Sequence, residues 1–283
     1  MNLKSESFRV ISPVILGAAV LATLGLSTAP VFAAATASDT AINYGGGWGT
    51  SAGDLGTGFG AWNFVVDNAN SPPYVGTYLN NNSAVTTSGY AWGTYANGTG
   101  NNGSISIARA FTAGASGSSS LFDQTFSVEL ASGGVGNGSG GPPNSDLAVS
   151  VGSAFNFSYL GTGSDNFLLS VDGGAATTTP VNFSELNAGL IISLAVSGAL
   201  NSATEGYTFT VSSVAGNTTL FTQSGTFNSS AYNTSSFDYL DSNTTGDGFF
   251  NDLNISVETV PEPSTMVLGA SGLAMLLLLR RRG

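Results

Sequence analysis

The feature that most constrains this chain is an alternation of apolar and polar residues with a period of two. In "FSVEL", Phe126, Val128 and Leu130 share one side and Ser127 and Glu129 the other. The same pattern runs through "FNFSY" (Phe155, Phe157, Tyr159), "YTFTVS" (Tyr207, Phe209, Val211) and "LNISVE" (Leu253, Ile255, Val257). Successive side chains of a strand point to opposite faces, so such stretches are half-buried strands of antiparallel sheets. Clusters of Gly, Asn, Ser and Asp separate them, as turns require. "NAGLIISLAVSGAL" is rich in branched residues between Gly189 and Gly198 and reads as a buried strand. No helical period competes, so the expected fold is all-β, an antiparallel β-sandwich. A jelly-roll suits the length of the body, which lacks the cysteine pair of an immunoglobulin-like unit.

Residue types exclude several functions. The chain has no histidine and no cysteine, and a net charge of −11. That removes a Ser-His-Asp triad, a thiolate nucleophile, disulfides and ordinary structural zinc sites. Only six residues are basic, and Arg109 is the sole one between Arg9 and Arg280. Such a chain cannot neutralise a phosphate backbone, so nucleic acid is excluded as a partner. Charged residues make up only 8% of the sequence, which leaves solubility to Asn, Ser, Thr and Gly.

The two ends differ from the body. Lys4 and Arg9 precede an apolar run, Val14 to Leu26, and then the small-residue stretch "STAPVFAAATAS". This order reads as a secretory signal over residues 1–37, with a hydrophobic signal helix and cleavage after Ala33, Ala35 or Ala37. The other end is "VPEPSTMVLGASGLAMLLLLRRRG". Pro261 and Pro263 keep the backbone extended, the apolar segment 266–279 forms a short membrane helix, and Arg280, Arg281 and Arg282 hold its far end in the cytoplasm.

The tail, residues 259–283, resembles the PEP-CTERM sorting signal of Gram-negative bacteria. Pro261, Glu262 and Pro263 match its motif, and Arg280 to Arg282 match its basic end. The resemblance implies recognition and processing by an exosortase after passage through the export machinery. It also implies transient anchoring in the inner membrane, then delivery to the cell surface or to an exopolysaccharide matrix.

The body is expected over residues 38–258, with 131–146, "ASGGVGNGSGGPPNSD", as a mobile Gly/Pro loop. "GFGAWNF", "GYAWGTYANG" and "ISIARAF" resemble the start of concanavalin-A-like lectin and glucanase sandwiches, which implies a lectin-like sandwich that binds carbohydrate. Trp48 and Trp92, in glycine-rich surroundings, are the candidates for stacking on sugar rings, whereas Trp62 alternates with Phe64 and Val66 and belongs to the core. Asp238, Asp241, Asn243 and Asp247 in "DYLDSNTTGDG" place oxygen ligands near a glycine, as calcium loops do, although turns favour the same residues. Arg109 shares a strand face with Ile105, Ile107 and Phe111. It is read as a structural arginine with a carboxylate partner or as a ligand-gripping residue in a cleft. Glu129 falls on the polar, solvated side of its strand, and no E-x-D-x-x-E motif of sandwich glucanases occurs. Three functions follow: an exported non-catalytic surface or matrix protein with no cofactor, a carbohydrate-binding module, and a two-acid polysaccharide-cleaving enzyme. The third requires two carboxyl groups facing one cleft.

Overall fold

The alternating stretches become strands whose burial alternates as the sequence does. The computed structural model describes residues 35–45, 47–49, 53–67, 75–96, 103–111, 123–133, 146–160, 165–197, 204–231, 234–242 and 246–257. The first strands are β1 (Ala35–Asp39), β2 (Phe59–Asp67), β3 (Val75–Asn80), β4 (Ala91–Ala96) and β5 (Ser104–Phe111). Then come β6 (Gln124–Ser132), β7 (Asp146–Val151), β8 (Phe155–Leu160), β9 (Asn166–Val171) and β10 (Thr177–Asn182). After the short helix α1 (Phe183–Ala188) follow β11 (Leu190–Ser197), β12 (Glu205–Ser213), β13 (Thr219–Phe227), β14 (Ser236–Ser242) and β15 (Asp247–Val257).

These strands build two antiparallel sheets. One has eight strands in the order β13-β12-β11-β6-β15-β4-β3, with β1 added against the second half of β15. The other has seven, in the order β10-β9-β8-β7-β14-β5-β2. The predicted β-sandwich is therefore what forms. Phe126, Val128 and Leu130 of β6 face Phe157 and Tyr239 of the opposite sheet within one apolar core. Both sheets draw strands from either side of the Gly/Pro stretch, which makes the body one sandwich and not two linked domains.

Several boundaries differ from expectation. Ala131 and Ser132 extend β6, and Asp146 opens β7, so ordered pairing reaches further into the expected 131–146 loop from both sides. Ala35, Ala37, Ser38 and Asp39 pair with β15, so strand pairing among the described residues takes in the last residues of the expected signal. "NAGLIISLAVSGAL" does contain a buried strand, β11, but its first residues close α1. The Asn182 side chain accepts hydrogen bonds from the Ser184 and Glu185 amides, and Glu185 accepts from the Asn182 amide. This capping box stabilises a turn of helix without any helical periodicity. Residues 1–34 of the signal segment, the tail with Pro261–Pro263 and Arg280–Arg282, and the membrane segment 266–279 lie outside the described residues. Among those described, no helix is long and apolar enough to cross a membrane.

Candidate functional site

The site is built around an irregularity in β15. Asn251 pairs with Glu129 of β6 but Asn254 pairs with Ser127, so β15 carries one extra residue there. Asp252 absorbs the bulge with φ of 49°, a left-handed conformation that Asp tolerates better than most residues. The bulge turns the Asp252 side chain toward Glu129 on the outer face of the eight-stranded sheet.

A neighbouring loop is pinned over this point. Asn251 is fully buried, and its side-chain amide donates to the Val85 carbonyl at 2.9 Å and to Ser88 Oγ at 3.0 Å. Its oxygen accepts from the Ala41 amide at 3.0 Å. Held in this way, the loop presents Thr87, whose hydroxyl lies 2.7 Å from Glu129 Oε2 and 2.9 Å from Asp252 Oδ2. One hydroxyl has one proton to donate. Both contacts are satisfied when one carboxyl is protonated and donates in return.

Electrostatics agree with that arrangement. Burial, against the lowering effect of the Thr87 hydrogen bond and with the charge and hydrogen bond of Asp252, pushes the Glu129 carboxyl up to about 7. Glu129 and Asp252 line a cleft of about 210 Å³ with Ser38, Thr40, Ser127 and Asn254. Asn254 Oδ1 is buried there with no hydrogen-bond partner among the described residues. The cleft thus offers carboxyl oxygens, hydroxyls and an amide, and no cation. Glu129 is half-buried, not fully solvated as its strand face suggested.

Arg109 is buried and structural. It forms an ion pair with Asp39, whose side chain is also fully buried, and a second with Asp54 at 2.8 Å. Its Nε donates to the Gly60 carbonyl at 2.8 Å, and its guanidinium lies 4.5 Å from the Trp62 ring centroid. Asp39 also accepts from the Tyr44 hydroxyl at 2.7 Å, which in turn accepts from Trp62 Nε1 at 2.8 Å. Burial, then Asp39, pushes Tyr44 up to about 12. These partners are 70 and 55 residues away in sequence, which is why no local pattern named them.

The tryptophan expectation is corrected in part. Trp62 is in the core as read, but so are Trp48 and Trp92, at 6% and 0% exposure. Their rings pack edge-on or tilted against each other and against Trp62 and Phe250 at 5.1 to 6.1 Å. Neither has a free face for a sugar ring. The glycines around them permit close packing: a Cβ on Gly93 would meet the Tyr78 ring at 2.9 Å.

The proposed calcium ligands do not converge. Asp238 and Asp241 are three apart on β14 and so point to opposite faces. Asp238 is on the outer face, where it accepts from Ser236 Oγ at 2.9 Å. Asp241 is buried and accepts from Thr94 Oγ1 at 2.7 Å, and Thr94 also contacts the Tyr239 hydroxyl at 2.9 Å. Asp247, at the start of β15, accepts from the Tyr78 hydroxyl. Asn243 lies outside the described residues. Among the described residues, no group of three or more Asp and Glu is placed to hold a metal ion.

Comparison with protein-family models and with curated proteins finds no match. Among solved structures, the chain is similar to the binding domain of botulinum neurotoxin DC in complex with SialylT, at 8% identity and a TM-score of 0.40. That likeness covers 75% of this chain and 46% of the toxin chain, so this chain spans less than half the toxin domain's length. The VIP36 exoplasmic/lumenal domain in its Ca2+/Man3GlcNAc-bound form is similar at 8% identity and a TM-score of 0.40, over 72% of this chain and 88% of that one. At such scores the sandwich assignment rests on the strand pairing described above.

Proposed function

We propose that this chain is an exported carbohydrate-binding β-sandwich module, jelly-roll and lectin-like in form, that takes its glycan at the Glu129–Asp252 cleft. The observation that carries the reading is that two carboxyls bridged by the Thr87 hydroxyl share one opening on a sheet face with the Asn254 oxygen, which has no partner among the described residues. Sugars present adjacent hydroxyls that donate and accept together. Carboxylate and amide oxygens are their natural complements, and buried polar groups that need a partner confer selectivity. The shortage of charge on the chain agrees with an uncharged ligand.

Targeting completes the proposal. The signal over residues 1–37 exports the body, and an exosortase processes the tail at Pro261, Glu262 and Pro263. Arg280 to Arg282 and segment 266–279 hold the chain transiently in the inner membrane before it reaches the surface or an exopolysaccharide matrix. No step requires the chain to be an enzyme or to carry calcium or another cofactor.

The test is binding of the secreted protein to immobilised polysaccharides, wild type against Glu129→Gln and Asn254→Ala. Saturable binding that both substitutions weaken supports the reading. Equal binding by all three forms, or binding by none, removes it.

A second reading, cleavage of polysaccharide, is favoured by one observation. Glu129 holds its proton close to neutral pH beside a second carboxyl, as a general acid would. Release of new reducing ends from a bound polysaccharide, lost in Glu129→Gln, would replace the binding reading with this one.

A further inference from the structure

The outer face of the eight-stranded sheet carries hydrogen-bonding side chains in straight lines across the strands. Thr222 of β13 pairs with Thr210 of β12, which pairs with Ser193 of β11, which pairs with Ser127 of β6. The line continues to Asn254 of β15 and Ser38 of β1. Six neighbouring strands thus contribute one polar side chain each, over about 24 Å at the usual strand spacing. A parallel line runs one step away through Ser224, Thr208, Thr125 and Ser256, broken by Ala195 on β11 and meeting Ala35 on β1. Within the lines, Thr208 and Ser224 hydroxyls are 3.0 Å apart and those of Thr210 and Thr222 are 3.4 Å apart. The first line ends in the cleft, because Ser127, Asn254 and Ser38 are three of its walls.

The opposite sheet differs. One of its lines passes through Val65, Ser106, Leu240, Ala148, Ser158 and Leu168 and is largely apolar, and another, through Asn63, Asp238, Ser150, Asn156 and Ser170, is broken by Ala108 and carries a carboxylate. The uninterrupted polar line therefore belongs to the sheet that carries the cleft.

We propose that this face docks a single extended chain of a neutral polysaccharide, laid across the strands from β13 to the cleft. The inference rests on the carbohydrate-binding reading and adds the ligand's shape, charge and path. Three arguments fix the occupant. No residue of either line is charged and the protein carries a net charge of −11, so an acidic polymer is repelled and an uncharged one is not. Each hydroxyl both donates and accepts, which matches a polymer whose every unit does the same. Ser and Thr also lose little rotamer freedom when a ligand settles on them, unlike the Lys and Glu that dress most solvated sheets. The twist of the sheet, about 20° per strand, suits a pliable chain better than a flat crystalline face.

The experiment is affinity electrophoresis of the secreted protein through gels containing hydroxyethyl cellulose, starch, galactomannan, alginate or chitosan. A double variant on the two strands farthest from the cleft, Thr210→Val with Thr222→Val, is run beside wild type and Glu129→Gln. Val keeps the strand propensity of Thr, and thermal melting checks that each form is folded. The expected result is retardation of wild type in a neutral gel, weakened about tenfold or more in the double variant through two lost hydrogen bonds. Binding should also strengthen with oligosaccharide length until the line is spanned. If the double variant is retarded as strongly as wild type while Glu129→Gln is not, the docking line is wrong and the cleft reading stands. Retardation in alginate or chitosan alone overturns the neutral ligand. Retardation in no gel removes the carbohydrate reading itself.

Discussion

Glu129 and Asp252 belong to neighbouring strands, β6 and β15, and are joined through the single hydroxyl of Thr87. Their proximity depends on the extra residue in β15, since strict alternation from Phe250 in the core and Asn251 outside would put Asp252 on the core side. This pair gives the protein a pH dependence. The Glu129 carboxyl rises from its ordinary 4.5 to about 7 on folding, so between these values the folded state binds more protons than the unfolded one. Stability must then fall as pH rises through that window. The melting temperature of wild type should drop between pH 5 and pH 8, and Glu129→Gln should flatten that drop. Identical slopes would contradict the shared-proton account.

Arg109 predicts two very different costs. Replacing it with Met leaves Asp39 buried and unpaired, which costs about 3–5 kcal/mol. Asp54 is 44% exposed, so Asp54→Asn should cost less than about 1 kcal/mol. Urea unfolding of the two variants measures both, and equal losses would mean that Asp39 is not the principal partner.

Trp48→Ala and Trp92→Ala should each destabilise the body by about 3–5 kcal/mol, as deletions of buried aromatic rings do. Chemical denaturation measures this. A variant that keeps wild-type stability but loses glycan binding would restore the sugar-platform reading.

Gly248 lies where a Cβ would meet the Tyr239 hydroxyl, with Leu147 Cδ1 at 3.0 Å and Thr94 Oγ1 at 3.2 Å. That hydroxyl is fixed by Thr94, which also contacts Asp241, so it cannot move without breaking a buried network between the sheets. Gly248→Ala should therefore cost about 1–3 kcal/mol, read from the unfolding midpoint. A neutral substitution would show that the network yields.

How much was legible follows from which interactions are local. The strands β6, β8, β12 and β15 could be read directly because pleat alternation is written residue by residue. Helix α1 left one local trace, Asn182 with Glu185 three residues on, and periodicity alone passes over it. Trp48 and Trp92 were misplaced because glycine-rich neighbours look like exposed turns, whereas here they make room for aromatic rings. The Arg109–Asp39 pair joins residues 70 apart in sequence, and the Glu129–Asp252 cleft is set by a bulge between distant strands. Neither has any signature at short range. Even so, an Asp between two Asn in "NDLN" is a place where a strand tolerates a left-handed residue.

The most direct measurement is hydrogen exchange of the purified protein with and without a polysaccharide that retards it. Slower exchange in peptides from β6, β11, β12, β13 and β15 and in the loop bearing Thr87 is the predicted result. Protection confined to β2, β5 and β14, on the opposite sheet, would contradict the assignment of the binding face.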